Sequence, residues 1–425
     1  TNQNTVAYNG GAGTVYLKSG SQFHGSLIIN NNGITTTNAT AVSGGTFVSV
    51  EVKGGAVLAE TGSIVTETDM TITDSQMTLS GGLNPSGSLT LTNSTVVTGG
   101  SVTVPGNLTL NKSSLTVTDR LTVTGTISLE NQSSLSQAAA TTTTASKLDI
   151  EAANIVISAG SKIDVTGKGY LGGYSGGNST TIGRTIGNAT TGGSAGYNGG
   201  SYGGMGGLYS SGSVVNALYG DLMNPEELGS GGSGQGASYP GGNGGGLVEI
   251  TAGTLTVDGS ILADGGNGQP NAATGGGSGG GVNIHVGTLA GTGMITAKGG
   301  TTGYGGAGGG GRIAVYYELL TLPTTSIIAS GGKNTNQNTV AYNGGAGTVY
   351  LKGNNEPNGA LIIDNKNIEM NSDTTPLRSI GTGTITGLTE TTLTDNAAAW
   401  VPGALKGLLL VPDTAQSTIF IVIDN

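Results

Sequence analysis

Gly276-Gly-Ser278-Gly-Gly280 has the Gly-x-Ser-x-Gly spacing that presents a nucleophilic serine at a strand-to-helix turn. That chemistry needs a strand before the serine, a helix after it, and histidine and acid partners to move the proton. Here the serine sits in a glycine tract, and the chain holds only two histidines, His24 and His285. His285 lies between Ile284 and Val286, an alternation that turns it away from a core. The densest acids are Asp221, Glu226 and Glu227, whose oxygens suit a hard cation and make a candidate Ca²⁺ site. Asn224-Pro225-Glu226-Glu227 also has the make-up of a capped helical turn, so a brief helix is expected there. The Gly-x-Gly-x-x-Gly matches are followed by no helix pattern that could receive a phosphate.

Three other chemistries follow from residue type. A carbohydrate-active enzyme would need paired carboxylates beside a groove, and the 25 acids and 15 bases form no such constellation along the chain. Catalysis is therefore not expected, although a carbohydrate-active β-helix enzyme remains the alternative. Thr71 and Thr73, Thr90 and Thr92, then Thr109 form an outward Thr-x-Thr ladder of the kind that could order water, so an ice- or surface-binding solenoid is a second alternative. Thr also suits any solvated strand face, and the ladder degrades at Asn111 and Ser128. Asn38, Asn93, Asn107, Asn111, Asn131, Asn178 and Asn188 open Asn-x-Ser/Thr sequons and are candidate glycan acceptors.

Composition narrows the rest. The chain has 83 glycines, 9% charged and 4% aromatic residues, 35% apolar residues and no cysteine, which removes disulfides and thiolate sites. A net charge of −10 disfavours phosphate backbones and anionic lipid, so nucleic acid is not an expected partner. The longest apolar runs, such as Gly407 to Val411 and Ile419 to Ile423, fall far short of the roughly 20 residues of a membrane span.

The elements that must position these residues are short strands. From Leu58 to Ile127 the first core positions are Leu58, Ile64, Met70, Met77, Leu83, Leu89, Val96, Val102, Leu108, Leu115, Leu121 and Ile127, with steps of 6, 6 and 7 that sum to 19. A second apolar residue usually follows two positions later, the strand period. Bends this short suit a three-sided coil with three parallel sheets, a right-handed parallel β-helix with rungs about 4.8 Å apart. The predicted columns are Leu58, Met77, Val96, Leu115; Ile64, Leu83, Val102, Leu121; and Met70, Leu89, Leu108, Ile127.

Residues 1–145 read as plain rungs, residues 146–352 as rungs with Gly-rich loops on one edge, and 353–425 as further rungs opening a different module that runs past Trp400 to Asn425. The loops Gly241–Gly246, Gly275–Gly281, Gly305–Gly311 and Gly344–Gly347 recur at one phase, so they should stack main chain on main chain and be ordered. The longest insertion spans about 170–246.

The 19-residue, three-strand rung resembles the β-helix shaft of filamentous-haemagglutinin-like exported proteins. Gly244 to Gly268 (GGGLVEITAGTLTVDGSILADGGNG) and Gly308 to Tyr317 (GGGGRIAVYY) are similar to segments of giant Gly-rich, adhesin-like bacterial surface or secreted β-helix proteins. The resemblance implies export, great length and a place outside the cell or on its surface, and it carries no shared catalytic set.

Thr1–Lys18 (TNQNTVAYNGGAGTVYLK) returns unchanged at Thr335–Lys352, a period of 334. With neither end showing a polar cap, the expectation is a segment of a shaft or filament, adhesive in one version. Its partner would be itself, by covalent continuation or end-to-end stacking, with carbohydrate or cell surfaces as further partners and no cofactor beyond the candidate Ca²⁺.

Overall fold

The structure, a computed structural model, describes residues 6–209, 212–337, 339–370, 375, 383–398, 409–413 and 420–424. Within them the chain is all-β, with one sheet of 18 strands and one of 10. The ten-stranded sheet is parallel throughout. The larger sheet is parallel except where Thr14–Leu17 meets Ser26–Asn30 and Thr348–Gly353 meets Ala360–Ile362.

Alternation in sequence becomes alternation in burial. Along Leu89–Thr92 the two leucines are buried and the two threonines half-buried. All three predicted columns form. Ile64 pairs with Leu83, Leu83 with Val102 and Val102 with Leu121. Met70, Leu89, Leu108 and Ile127 are likewise successive partners, as are Leu58, Met77, Val96 and Leu115. Every member is 0 or 1% exposed. Burying each such side chain contributes about 1.5–3 kcal/mol relative to leaving it in water.

The expectation of three sheets is corrected to two. Early in the chain, Ile64–Thr66 and Met70–Thr73 are separate strands. From Arg120–Glu130 onward, single strands run through the bend, followed by Leu148–Ile157, Leu247–Val257 and Gly281–Ala290. Val123 opposes Ala152 and Thr126 opposes Asn154, so Thr124 and Gly125 face Ala153 alone. This bulge shortens the bend by one residue and keeps it extended enough to pair, which fuses two faces into one sheet.

A second bend carries a ladder of buried serines. Asp74, Asn93, Lys112 and Asn131 adopt positive φ of 48–52°. Just beyond them lie the buried serines Ser75, Ser94, Ser113 and Ser133. The N–H of Ser75 donates to Oγ of Ser94, Ser94 to Ser113, Ser113 to Ser133 and Ser133 to Ser161, all at 3.0–3.1 Å. Each bend amide that faces inward is thereby satisfied.

Three buried polar side chains share one column, and while Thr98 and Gln137 hydrogen-bond to main-chain carbonyls, Glu60 does not. It pairs in register with Leu79, is 4% exposed, and neither carboxylate oxygen has a hydrogen-bond partner among the described residues. Glu60→Leu is expected to raise stability by about 1–3 kcal/mol, since it removes an unpartnered polar group from the interior. A urea midpoint unchanged or lowered by that substitution would refute the assignment.

The Gly-rich segments stack main chain on main chain in a pattern with a period of three. Gly275 and Ser278 are aimed at one neighbour, their N–H groups donating to the carbonyls of Ser233 and Ser230. Gly276 and Gly279 donate to Gly306 and Gly309, and Gly277 and Gly280 to Gly266 and Ala263. The next segment follows the same scheme even where alanine interrupts the glycines: Ala307 and Gly310 donate to Tyr342 and Gly345, Gly308 and Gly311 to Gly300 and Ala297. Three consecutive amides pointing at three different neighbours is the geometry of a polyproline-II helix, which has three residues per turn and no internal hydrogen bonds. The segments form a bundle of such helices beside the sheets. The insertion feeds it as well, with Gly229 and Gly232 donating to Gly245 and Gly242.

Further rungs are expected over 353–425, a segment that is described only in part. Ala360–Ile362 pairs antiparallel, and the described residues beyond it form two separate two-stranded antiparallel pairs, Gly387–Leu388 with Leu393–Thr394 and Leu409–Leu410 with Phe420–Ile421. Among the described residues from Ala360 onward, no strand pairs parallel. Trp400, Ile419 and Asn425 lie outside the described residues.

Candidate functional site

The outer face of the large sheet, where the insertion folds over it, gathers the chain's most varied chemistry. Parallel pairing sets Glu151 beside Thr251, Thr251 beside His285 and His285 beside Tyr316. The His285 and Tyr316 rings stack at 4.5 Å with 6° between planes, and Tyr350 meets Tyr316 edge-on at 6.0 Å. His285 does point outward as its alternation required. Burial against Tyr316 depresses its pKa, with Glu249 opposing the shift, so the ring is held toward its neutral form. Glu249 itself is paired with Lys147 at 2.6 Å.

The acids Asp221, Glu226 and Glu227 form the lip above this face, each engaged locally. Asp221 accepts from the Met223 N–H at 2.7 Å, Glu226 from the Asn224 side chain at 2.6 Å, and Glu227 from the Tyr170 hydroxyl at 3.1 Å. Among the described residues no group of three or more His, Asp or Glu side chains could hold a metal ion. The helical turn expected at Asn224–Glu227 does not form. Asn224 instead uses its side-chain oxygen to accept from Asn283 on the sheet at 2.7 Å, which holds the lip down and removes it as a cap.

Tyr170, Tyr202, Tyr219 and Leu228 of the insertion form a buried cluster with Leu247 of the following strand. Arg312, 5% exposed, donates from Nε to the Tyr219 carbonyl at 3.0 Å and lies 5.5 Å from the Tyr202 ring centroid. Burial pushes all three tyrosine hydroxyls above their usual range. These residues anchor the insertion. The sequence reading missed them because they are scattered over more than a hundred positions.

Other candidates resolve singly. Ser278 Oγ accepts from the Ser230 N–H at 2.8 Å inside the glycine bundle and is fully buried, a structural position with no access for a substrate. His24 pairs with Glu67 at 2.7 Å. The Thr ladder is in register, Thr71 with Thr90 and Thr109, but Glu51 flanks it on one side and Ser128 on the other. Among the sequon residues, Asn38, Asn93, Asn107 and Asn131 are exposed and Asn111 and Asn188 half-buried. Asn178 is 3% exposed, with its amide donating to the Gly172 and Ile182 carbonyls, so the folded chain leaves no room for a glycan there.

A polar hollow of about 270 Å³ on the ten-stranded sheet is lined by Ser114, Thr116, Ser134, Ser136, Asp164 and Lys168. Burial opposes ionisation of Asp164, but bonds from Lys162 and Thr166 outweigh it and lower its pKa. In the next strand's bend, Asp264 goes the other way. Burial raises its pKa despite the Lys298 N–H bond. A carboxyl raised in the folded state weighs on stability above its folded pKa and is relieved as pH falls toward the unfolded value. Asp264→Asn should therefore melt higher than the parent at pH 7 and converge with it near pH 3. Parallel melting curves at both pH values would contradict this.

No family model matches the chain, and neither a curated protein nor a solved structure shows significant similarity to it.

Proposed function

We propose that this chain is a structural segment of an extracellular or cell-surface shaft, its first half a closed right-handed β-helix with three strands per 19-residue rung. In this reading it is not an enzyme, and any adhesion is a property of its outer faces. The observation that carries it is the set of three parallel columns. Leu58, Ile64 and Met70 lie on three consecutive strands, and each pairs with the residue nineteen positions on, Met77, Leu83 and Leu89. Three short strands with inward side chains, repeated in register, are what a coil closing on itself requires. The resemblance to adhesin-like β-helix proteins belongs with this proposal and adds the extracellular setting.

Stacking of this kind places successive rungs about 4.8 Å apart, so length grows with repeat number while width stays fixed. Negative-stain images of the purified chain should show thin rods of one width, with longer fibres of the same width at high concentration. Compact particles with no constant short dimension would defeat the proposal.

A further inference from the structure

The two copies of the eighteen-residue repeat have the same sequence and opposite environments. In the second copy Val349, Tyr350 and Leu351 are 3, 9 and 4% exposed; in the first, Val15, Tyr16 and Leu17 are 51, 52 and 56% exposed. Both copies keep the same antiparallel neighbour, Val15 opposite Ile28 and Val349 opposite Ile362. They differ on the other edge, where Arg312–Tyr317 runs parallel to the second copy, with Ile313 opposite Val349 and Val315 opposite Leu351.

The glycines make the same point independently. A Cβ on Gly344 or Gly347 would lie 1.9 Å from the carbonyl oxygen of Gly308 or Gly311, so only glycine fits. At the equivalent Gly10 and Gly13 a Cβ would meet nothing within 4 Å, and neither residue has positive φ. The N–H groups of Gly344, Gly345 and Gly347 donate to Gly332, Met205 and Ala329, whereas those of Gly10, Gly11 and Gly13 have no main-chain acceptor among the described residues. Tyr342 packs on Tyr209 at 4.9 Å, and its counterpart Tyr8 is 74% exposed.

We propose that the open edge formed by Gly10–Gly13 and the Thr14–Leu17 strand is a docking seat for the Gly308–Tyr317 strand of another copy of this repeat. The incoming strand adds main-chain hydrogen bonds along the edge, seats the Gly308 and Gly311 carbonyls on the bare faces of Gly10 and Gly13, and covers Val15 and Leu17 with Ile313 and Val315. Tyr16 then meets the incoming Tyr316 as Tyr350 does within the chain. This deepens the shaft reading by naming the joint between units, and it rests on that reading for its purpose.

The test uses the full chain with residues 247–334 repeated ahead of Thr1, so that Asn334 runs into Thr1 as it runs into Thr335. Amide hydrogen exchange is followed in peptic peptides spanning Val15–Phe23, which are unique to the first copy. Exchange at Val15–Leu17 should slow at least about tenfold relative to the unextended chain, and Gly10→Ala with Gly13→Ala should abolish the slowing. Both alanines should leave the melting of the unextended chain unchanged, which separates lost docking from lost folding. Unchanged exchange in the extended chain, or slowing that survives the two alanines, overturns the proposal. Exchange reports the joint and images report the rod, so either idea can fail while the other stands.

Discussion

Gly277→Ala is expected to destabilise the chain by about 3 kcal/mol, while Gly236→Ala stays within about 0.5 kcal/mol of the parent. A Cβ at Gly277 would sit 1.9 Å from the Asn243 carbonyl oxygen, an atom of a neighbouring main chain. Relief cannot come from a rotamer change, so whole segments would have to part. The same contact recurs in the next layer, where a Cβ on Gly308 would lie 1.9 Å from the Gly277 carbonyl. One substitution therefore disturbs three layers at once, much as a single replacement of an axial glycine disrupts collagen. At Gly236 a Cβ would meet nothing within 4 Å. Urea midpoints followed by circular dichroism will separate the two. Equal midpoints would mean that the bundle is not close-packed.

Leu108→Ala should cost about 2–5 kcal/mol, and Thr109→Ala, one residue away, within about 0.5 kcal/mol. Leu108 is fully buried between Leu89 and Ile127 in its column. Parallel pairing fixes these neighbours by main-chain hydrogen bonds, so they cannot collapse into the vacated volume, which places the expected loss toward the upper end. Thr109 faces outward between Thr90 and Ser128 and is half-buried. Comparable losses at the two positions would show that the columns are not the source of stability.

The glycine result also explains what could be anticipated about the loops. Their recurrence at one phase was enough to expect stacking, because segments fixed to successive strands must lie beside each other. The period of three was not visible, since a run of glycines carries no side-chain pattern to reveal it. Ser75, Ser94 and Ser113 did recur every nineteen residues, and that spacing could have disclosed the buried ladder. Beside so many outward Ser and Thr residues it did not stand out. The candidate acids Asp221, Glu226 and Glu227 were close in sequence, yet each is committed to its own partner. Closeness along a chain does not by itself aim three carboxylates at one point.

Apolar residues at i and i+2, renewed every nineteenth position, were sufficient by themselves to determine the strands and the partners in all three columns. That information is local, because side-chain alternation dictates which face is buried and the spacing dictates which residues meet. The tertiary structure alone decided the rest: the fusion of two faces through the bulge at Thr124–Gly125, the three-way bonding of the glycine bundle, and the Tyr–Arg anchor of the insertion. The plainest case is the repeated segment, where identical residues leave Leu17 56% exposed and Leu351 4% exposed. Burial depends on the strand laid alongside, and a segment's own sequence does not contain its neighbour.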